Sequence, residues 1–136
     1  MRVEALSNLP MPVRQTDGAA GYDLQSNVII TIGFMERALV PTGYAWEIPV
    51  GKVGLIKDRS SMAYKRGLSV MAGVIDSDYR GEVKALIVNL SNSPHTICVG
   101  DRVAQIVIVD HYSDKLVLAD KLDDFDRKGG FGSTGK

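Results

Sequence analysis

A chain of 136 residues has room for one domain and one core, long enough to bury roughly two thirds of the surface its unfolded form exposes. Its 16 lysines and arginines balance 16 aspartates and glutamates, so net charge offers nothing to a nucleic acid or a membrane surface, and any attraction for anions must be local. The single cysteine, Cys98, excludes an internal disulfide, and neither a basic-plus-apolar leader nor a run of membrane-spanning length is read, which makes a reducing cytoplasm (a host's cytoplasm for a viral protein) the expected location.

In chain order, short β-branched runs separated by turn signals come first: Val28 to Ile32, Ala38 to Val40, Tyr44 to Ile48 and Val53 to Ile56. Pro49-Val50-Gly51, between the last two, reads as a hairpin connection, with proline presetting φ and glycine free to take positive φ. Ser60 to Arg66 is the one helical stretch, with Ser60 or Ser61 as its cap and Gly67 as its stop. The strand series resumes with Leu68 to Ile75, Val83 to Leu90, Thr96 to Val99, Val103 to Val109 and Lys115 to Leu118, so the expected fold is all-β, a sandwich or barrel. Ala85-Leu86-Ile87-Val88 and Ile106-Val107-Ile108-Val109 are apolar at consecutive positions, so both faces of those strands need cover. In so small a domain that hints at subunit contacts. Cys98, inside Thr96-Ile97-Cys98-Val99, reads as a small core residue, and His95 and His111 as surface residues without metal-ligand partners.

The domain is expected over residues 1–122, with 123–136 as a separate arm. Gly129 to Gly135 holds four glycines, and Phe131 is its one large apolar side chain. Fixing each residue costs roughly 1–2 kcal/mol and glycine loses more than most, so this stretch cannot pack as a strand alone. Composition leaves two readings, a frayed tail or a flexible arm that orders over a ligand, its N–H groups on phosphate oxygens and Phe131 over an aromatic ring.

The segment Gly73-Val74-Ile75-Asp76-Ser77-Asp78-Tyr79-Arg80-Gly81-Glu82-Val83 sets a carboxylate and an aromatic ring at a tip between two apolar strands. Taken alone it is equally a solvated acidic turn. The chain has no Gly-x-x-x-x-Gly-Lys-Ser/Thr loop and no Cys-x-x-Cys pair. It is left with carboxylates, arginines, serines and glycine-rich backbone, which suit the binding of a polyphosphate through magnesium.

With four other segments, in order, this tip resembles the five motifs of the trimeric dUTPase family: Ala20-Gly21-Tyr22-Asp23-Leu24, Arg59-Ser60-Ser61-Met62-Ala63, the tip itself, Gly100-Asp101-Arg102-Val103-Ala104-Gln105, and Arg127-Lys128-Gly129-Gly130-Phe131-Gly132-Ser133-Thr134-Gly135. The resemblance runs from about Gly18 to the end of the chain. It implies an all-β, jelly-roll-like subunit in a homotrimer with sites shared between subunits. The implied reaction is Mg²⁺-dependent hydrolysis of dUTP to dUMP and pyrophosphate, which keeps uracil out of DNA and supplies dUMP for dTMP synthesis. Asp76 then matches the general base that activates water. Tyr79 matches the ring under the deoxyribose, and Val70, Val74, Ile75 and Lys84 the hairpin positions whose main chain reads uracil. Arg59, Ser60, Ser61 and Gln105 match phosphate-binding residues, Arg102 a structural one, and Asp23 the carboxylate that holds Mg²⁺ through its waters. Without the resemblance, Asp23 is a turn residue and Arg59 a surface or interface ion-pair member. In the arm, Phe131, Gly132, Ser133 and Thr134 match a lid over uracil and the γ-phosphate.

Two positions depart from the family pattern. Asp58 stands where a proline often precedes the arginine, an extra negative charge near phosphate unless it turns away or pairs with Lys57. The family's arginine five residues before the phenylalanine is here Asp126, leaving Arg127 or Lys128 as the cation for the γ-phosphate, with Arg127 favoured for its planar fork. Two rival readings are a dCTP deaminase of the same fold and a regulatory protein that uses the fold to bind a protein partner.

Overall fold

The computed structural model describes residues 1–123. Ten strands and one short helix follow one another: β1 (Arg2–Ala5), β2 (Gly21–Gln25), β3 (Ile30–Ile32), β4 (Arg37–Glu47), β5 (Lys52–Lys57), α1 (Ser60–Arg66), β6 (Leu68–Met71), β7 (Val74–Ile75), β8 (Glu82–Asn89), β9 (His95–Ile97) and β10 (Arg102–Asp110). They form an all-β, jelly-roll-like sandwich. One sheet runs β1-β4-β8-β6, the other β2-β10-β5-β7, and β3 pairs with β9 as a small third sheet. Between the two larger sheets lies a core that includes Leu24, Val40, Trp46, Ile48, Ile56, Leu68, Val83, Ile87, Val103 and Ile106, contributed by the inward-facing positions of both layers. Tyr22 and Trp46 meet edge to face across the layers, with ring centroids 5.7 Å apart.

Three expectations change on folding. Pro49-Val50-Gly51 is a tight turn, with Lys52 N–H donating to Pro49 O at 3.1 Å and Gly51 at φ 82°, but it passes the chain from β4 in one sheet to β5 in the other and closes no hairpin. Lys115 to Leu118 forms no strand, and Leu116, Val117 and Leu118 are at least 87% exposed. Cys98 is exposed because β9 ends at Ile97; Cys98 opens a turn in which its N–H donates to Asp101, while Ile97 keeps the core position.

The helix starts one residue later than a serine cap requires: Arg59 is the cap, with no side-chain bond, and Ser60 is the first helical residue. Gly67 ends the helix in the left-handed region at φ 62°, as expected. In Ala85 to Val88 and in Ile106 to Val109 one face is buried and the other only half-buried.

The run Leu68 to Ile75 is two strands, and that division makes the site. Ala72 (φ 58°) and Gly73 (φ 102°) swing the chain out of β6, which pairs with β8, and across to β7, which pairs with β5. At Gly73 any Cβ would stand 3.0 Å from Ile56, whose N–H donates to Gly73 O at 2.8 Å, so close approach and positive φ both call for glycine. The consequence is a gap between β7 and β8 where a simple hairpin would have closed.

Candidate active site

That gap is a cavity of about 320 Å³ lined by Leu39, Val74, Ile75, Asp76, Tyr79, Glu82 and Lys84. Val74, Ile75, Asp76, Tyr79 and Lys84, singled out from the sequence, thus come together. β7 is the edge strand of its sheet and pairs only with β5 on one side, so main-chain groups along its other edge face the cavity rather than a strand. Asp76 is the first residue past β7, exposed at the start of a turn in which Tyr79 N–H donates to Asp76 O at 3.2 Å. A second cavity, about 600 Å³, opens on the other side of the tip and also touches Asp76, so the carboxylate sits on a ridge between two open spaces.

The Tyr79 ring is held over Gly81 and its hydroxyl donates to Glu82 O at 3.1 Å. A Cβ on Gly81 would stand 2.5 Å from the Tyr79 hydroxyl oxygen and 2.7 Å from Cζ, so only glycine lets the ring lie where it does. Glu82 turns one carboxylate oxygen to Gly43 N–H at 2.8 Å, while its other oxygen is 3.9 Å from Lys84 Nζ. Gly81 and Leu39 were not singled out from the sequence. Gly81 carries a signal in Tyr-Arg-Gly, but Leu39 reaches the cavity from β4, far away in the chain, through the pairing Leu39↔Leu86.

The second cluster lies at the other end of β5. Asp23 on β2 is buried, its side chain 11% exposed, and both carboxylate oxygens are occupied: Arg59 Nε donates to one at 2.9 Å and Arg102 Nη1 to the other at 3.2 Å. Arg59 also donates to Arg102 O at 3.0 Å. Gln105 Nε2 donates to Asp58 O at 2.9 Å, and Gln105 Oε1 lies over Gly21, where a Cβ would approach it to 2.3 Å. Ser60 and Ser61 are exposed beside this anchored group. Asp58 does turn away, though not to Lys57: Ser69 Oγ donates to it at 2.9 Å, and Val70 N–H donates to its other oxygen. The Val70 N–H is therefore committed within the chain, so any reading of a base at Val70 falls to its carbonyl.

Asp23 is a poor resident metal ligand in this arrangement. Two guanidinium groups occupy its oxygens and place positive charge where a dication would sit. Among the described residues, no three His, Cys, Asp or Glu side chains group closely enough to hold a metal ion. Arg127, Phe131, Gly132, Ser133 and Thr134 lie outside the described residues.

A carboxylate at the tip, a glycine-seated tyrosine, a slot edged by free main chain and an arginine–serine cluster, placed as the five motifs require, are found again in proteins of known kind. The dUTPase family model matches residues 7–135. The chain belongs to the dUTPase family. It is 44% identical over 125 residues to the deoxyuridine 5'-triphosphate nucleotidohydrolase of Paramecium bursaria Chlorella virus 1, covering 91% of this chain and 89% of that one. To the enzyme of the same name from Anaeromyxobacter sp. (strain Fw109-5) it is 46% identical over 131 residues, covering 94% and 89%. Among solved structures, the dUTPase of Staphylococcus bacteriophage 80alpha with dUpNHpp superposes with a TM-score of 0.93 at 27% identity, covering 99% of this chain and 98% of that one. The dUTPase from phage phi11 of S. aureus, described as coordinating a structural Mg(II) ion, gives 0.85 at 27% identity, covering 90% and 98%.

Proposed function

We propose that this chain hydrolyses dUTP to dUMP and pyrophosphate, with Asp76 as the general base for water attacking the α-phosphorus. The observation that carries this is the β7–β8 cavity with Asp76 at its mouth and Tyr79 along its wall. A planar base that enters the slot meets the unpaired edge of β7. There a main-chain donor and acceptor suit uracil, whereas cytosine would present a donor to a donor. A mismatch that leaves a buried polar group unpaired costs about 1–3 kcal/mol. Tyr79 lies flat on Gly81 and offers its face to the deoxyribose. Asp76, exposed and outside any ion pair among the described residues, is free to orient a water and take its proton.

The phosphate contacts come from Arg59, Ser60, Ser61 and Gln105, supplied by another copy of the chain. Ile75 faces Gly54 and Gln105 faces Lys57, three residues apart on β5 and so roughly 10 Å. Asp76 lies beyond Gly54, and Arg59 and the serines lie beyond Lys57 at the opposite end. The α-phosphorus must stand one water from Asp76, which puts it out of reach of the same chain's serines. A homotrimer with shared sites resolves this separation. The exposed Leu116, Val117 and Leu118 and the half-covered outer faces of β8 and β10 supply apolar surface for the assembly. Given the two arginines on Asp23, Mg²⁺ enters as the counter-ion of the triphosphate rather than as a resident ion. Arg127, Phe131, Gly132, Ser133 and Thr134 serve as the lid over base and γ-phosphate.

The test is pyrophosphate release from dUTP and each of the four standard dNTPs, with nucleotide products identified. dUTP alone should yield pyrophosphate, together with dUMP. Conversion of dCTP to dUTP would make the protein a deaminase instead, and turnover of no nucleotide would leave the binding-protein reading. Sedimentation at equilibrium should give three chains per particle, and a catalytically active monomer would refute the shared site.

A further inference from the structure

Asp58 interrupts the expected pattern, and its contacts give it a task. β5 ends at Lys57 and α1 begins at Ser60, so Asp58 and Arg59 form an elbow outside any β-ladder. The wall beside it is firm: β6 is in register with β8 from Leu68↔Asn89 to Met71↔Leu86. As the edge strand of its sheet, β6 leaves the Val70 N–H free of the ladder, and Asp58 accepts it. The other carboxylate oxygen accepts the Ser69 hydroxyl at 2.9 Å, and the Asp58 carbonyl accepts Gln105 Nε2 from β10 at 2.9 Å. One residue thus fastens the elbow to both sheets. A carboxylate suits this place because it offers acceptors alone to two donors, and bonds to an ionised acceptor are stronger than neutral ones.

Resting on the proposed placement of phosphate at Arg59, Ser60 and Ser61, we infer that Asp58 is a positioning residue for the phosphate-binding elbow. It holds the following three residues at a fixed distance from β6, so the entropy of ordering them is met in folding rather than on binding. The base slot is built from β7, β8 and Tyr79 and does not depend on this strap, so Asp58 governs affinity for the phosphate chain and leaves affinity for the nucleoside alone.

The experiment is calorimetric titration of the assembled full-length protein with pyrophosphate and, separately, with deoxyuridine. Asp58→Ala should weaken pyrophosphate binding about tenfold and leave deoxyuridine binding within about twofold. Asp58→Asn, which can still accept the Val70 N–H and donate to the Ser69 hydroxyl, should restore pyrophosphate affinity to within about threefold. Equal pyrophosphate affinity in Asp58→Ala and the parent protein overturns the inference, as does a loss shared equally by deoxyuridine, which would mean general loosening. Should Asp58→Ala not fold, Ser69→Ala carries the same test: it should weaken pyrophosphate about threefold with deoxyuridine unchanged, and no change refutes the strap. Ser61→Ala separates the two levels. If it too leaves pyrophosphate affinity unaltered, the phosphate site itself is misplaced. If it weakens binding while Asp58→Ala does not, only the role of Asp58 falls.

Discussion

Replacing Asp23 with asparagine distinguishes a carboxylate that organises arginines from one that holds a metal. Its two oxygens bind Arg59 at 2.9 Å and Arg102 at 3.2 Å, with side-chain exposures of 11% for Asp23, 21% for Arg59 and 43% for Arg102. Removing one partner from a fully buried ion pair costs about 3–5 kcal/mol, and exposed pairs are worth about 0–1 kcal/mol. With Arg102 nearly half in water, with Arg59 keeping its bond to Arg102 O, and with one amide oxygen still able to accept, the cost should fall to about 1–3 kcal/mol. For a domain of this size that lowers Tm by about 3–10 °C, measured at one fixed protein concentration because assembly shifts Tm. Arg59 would lose its fixed position, so pyrophosphate binding should weaken in EDTA as much as in magnesium. A variant whose pyrophosphate affinity in EDTA equals that of the parent, with a defect seen only in the magnesium titration, would refute this reasoning and return Asp23 to the metal.

Other consequences are smaller to state. Asp76→Asn should retain fold and dUTP binding while kcat falls by about 10²–10⁴, because shape survives and the base does not; single-turnover rates near those of the parent would sink the assignment. Gly81→Ala should push the Tyr79 ring off its seat, given the 2.5 Å approach to its hydroxyl, and raise KM for dUTP at least about fivefold, whereas an unchanged KM would mean the sugar does not rest on that ring. The hydrogen bond from Arg2 lowers the pKa of Glu47 below its ordinary 4.5, and that from Lys52 lowers the pKa of Asp110 below 3.8. Both carboxylates bind protons less readily folded than unfolded, so their contribution is present above the ordinary carboxylate range and is lost as pH falls through the depressed values. The Tm gap between the parent and a Glu47→Gln, Asp110→Asn double variant should therefore be small at neutral pH and close on acidification; a gap that widens in acid has the wrong sign.

Much of the site was legible because its chemistry is local. Asp76 and Tyr79 share one turn, Arg59, Ser60 and Ser61 are consecutive, and β-branched runs with Gly, Pro and Asp between them lead to an all-β sandwich whatever their partners. Gly67 ends the helix because an αL residue there is a property of a few neighbouring dihedrals. What the sequence could not reveal depends on which strand lies beside which. Leu68 to Ile75 reads as a single strand, since nothing in its alternation records that Ala72 and Gly73 carry it from β8 to β5. Lys115 to Leu118 has strand composition, but composition cannot supply the neighbour that a strand needs to satisfy its backbone. Asp23 and Asp58 differ most between the two levels. As letters they are an acidic metal candidate and an unwelcome charge. In the fold, one is held by two arginines from β10 and the β5–α1 elbow, and the other accepts the free N–H of an edge strand. Hydrogen bonds of that kind join residues up to 79 positions apart and exist only once the sheets have stacked.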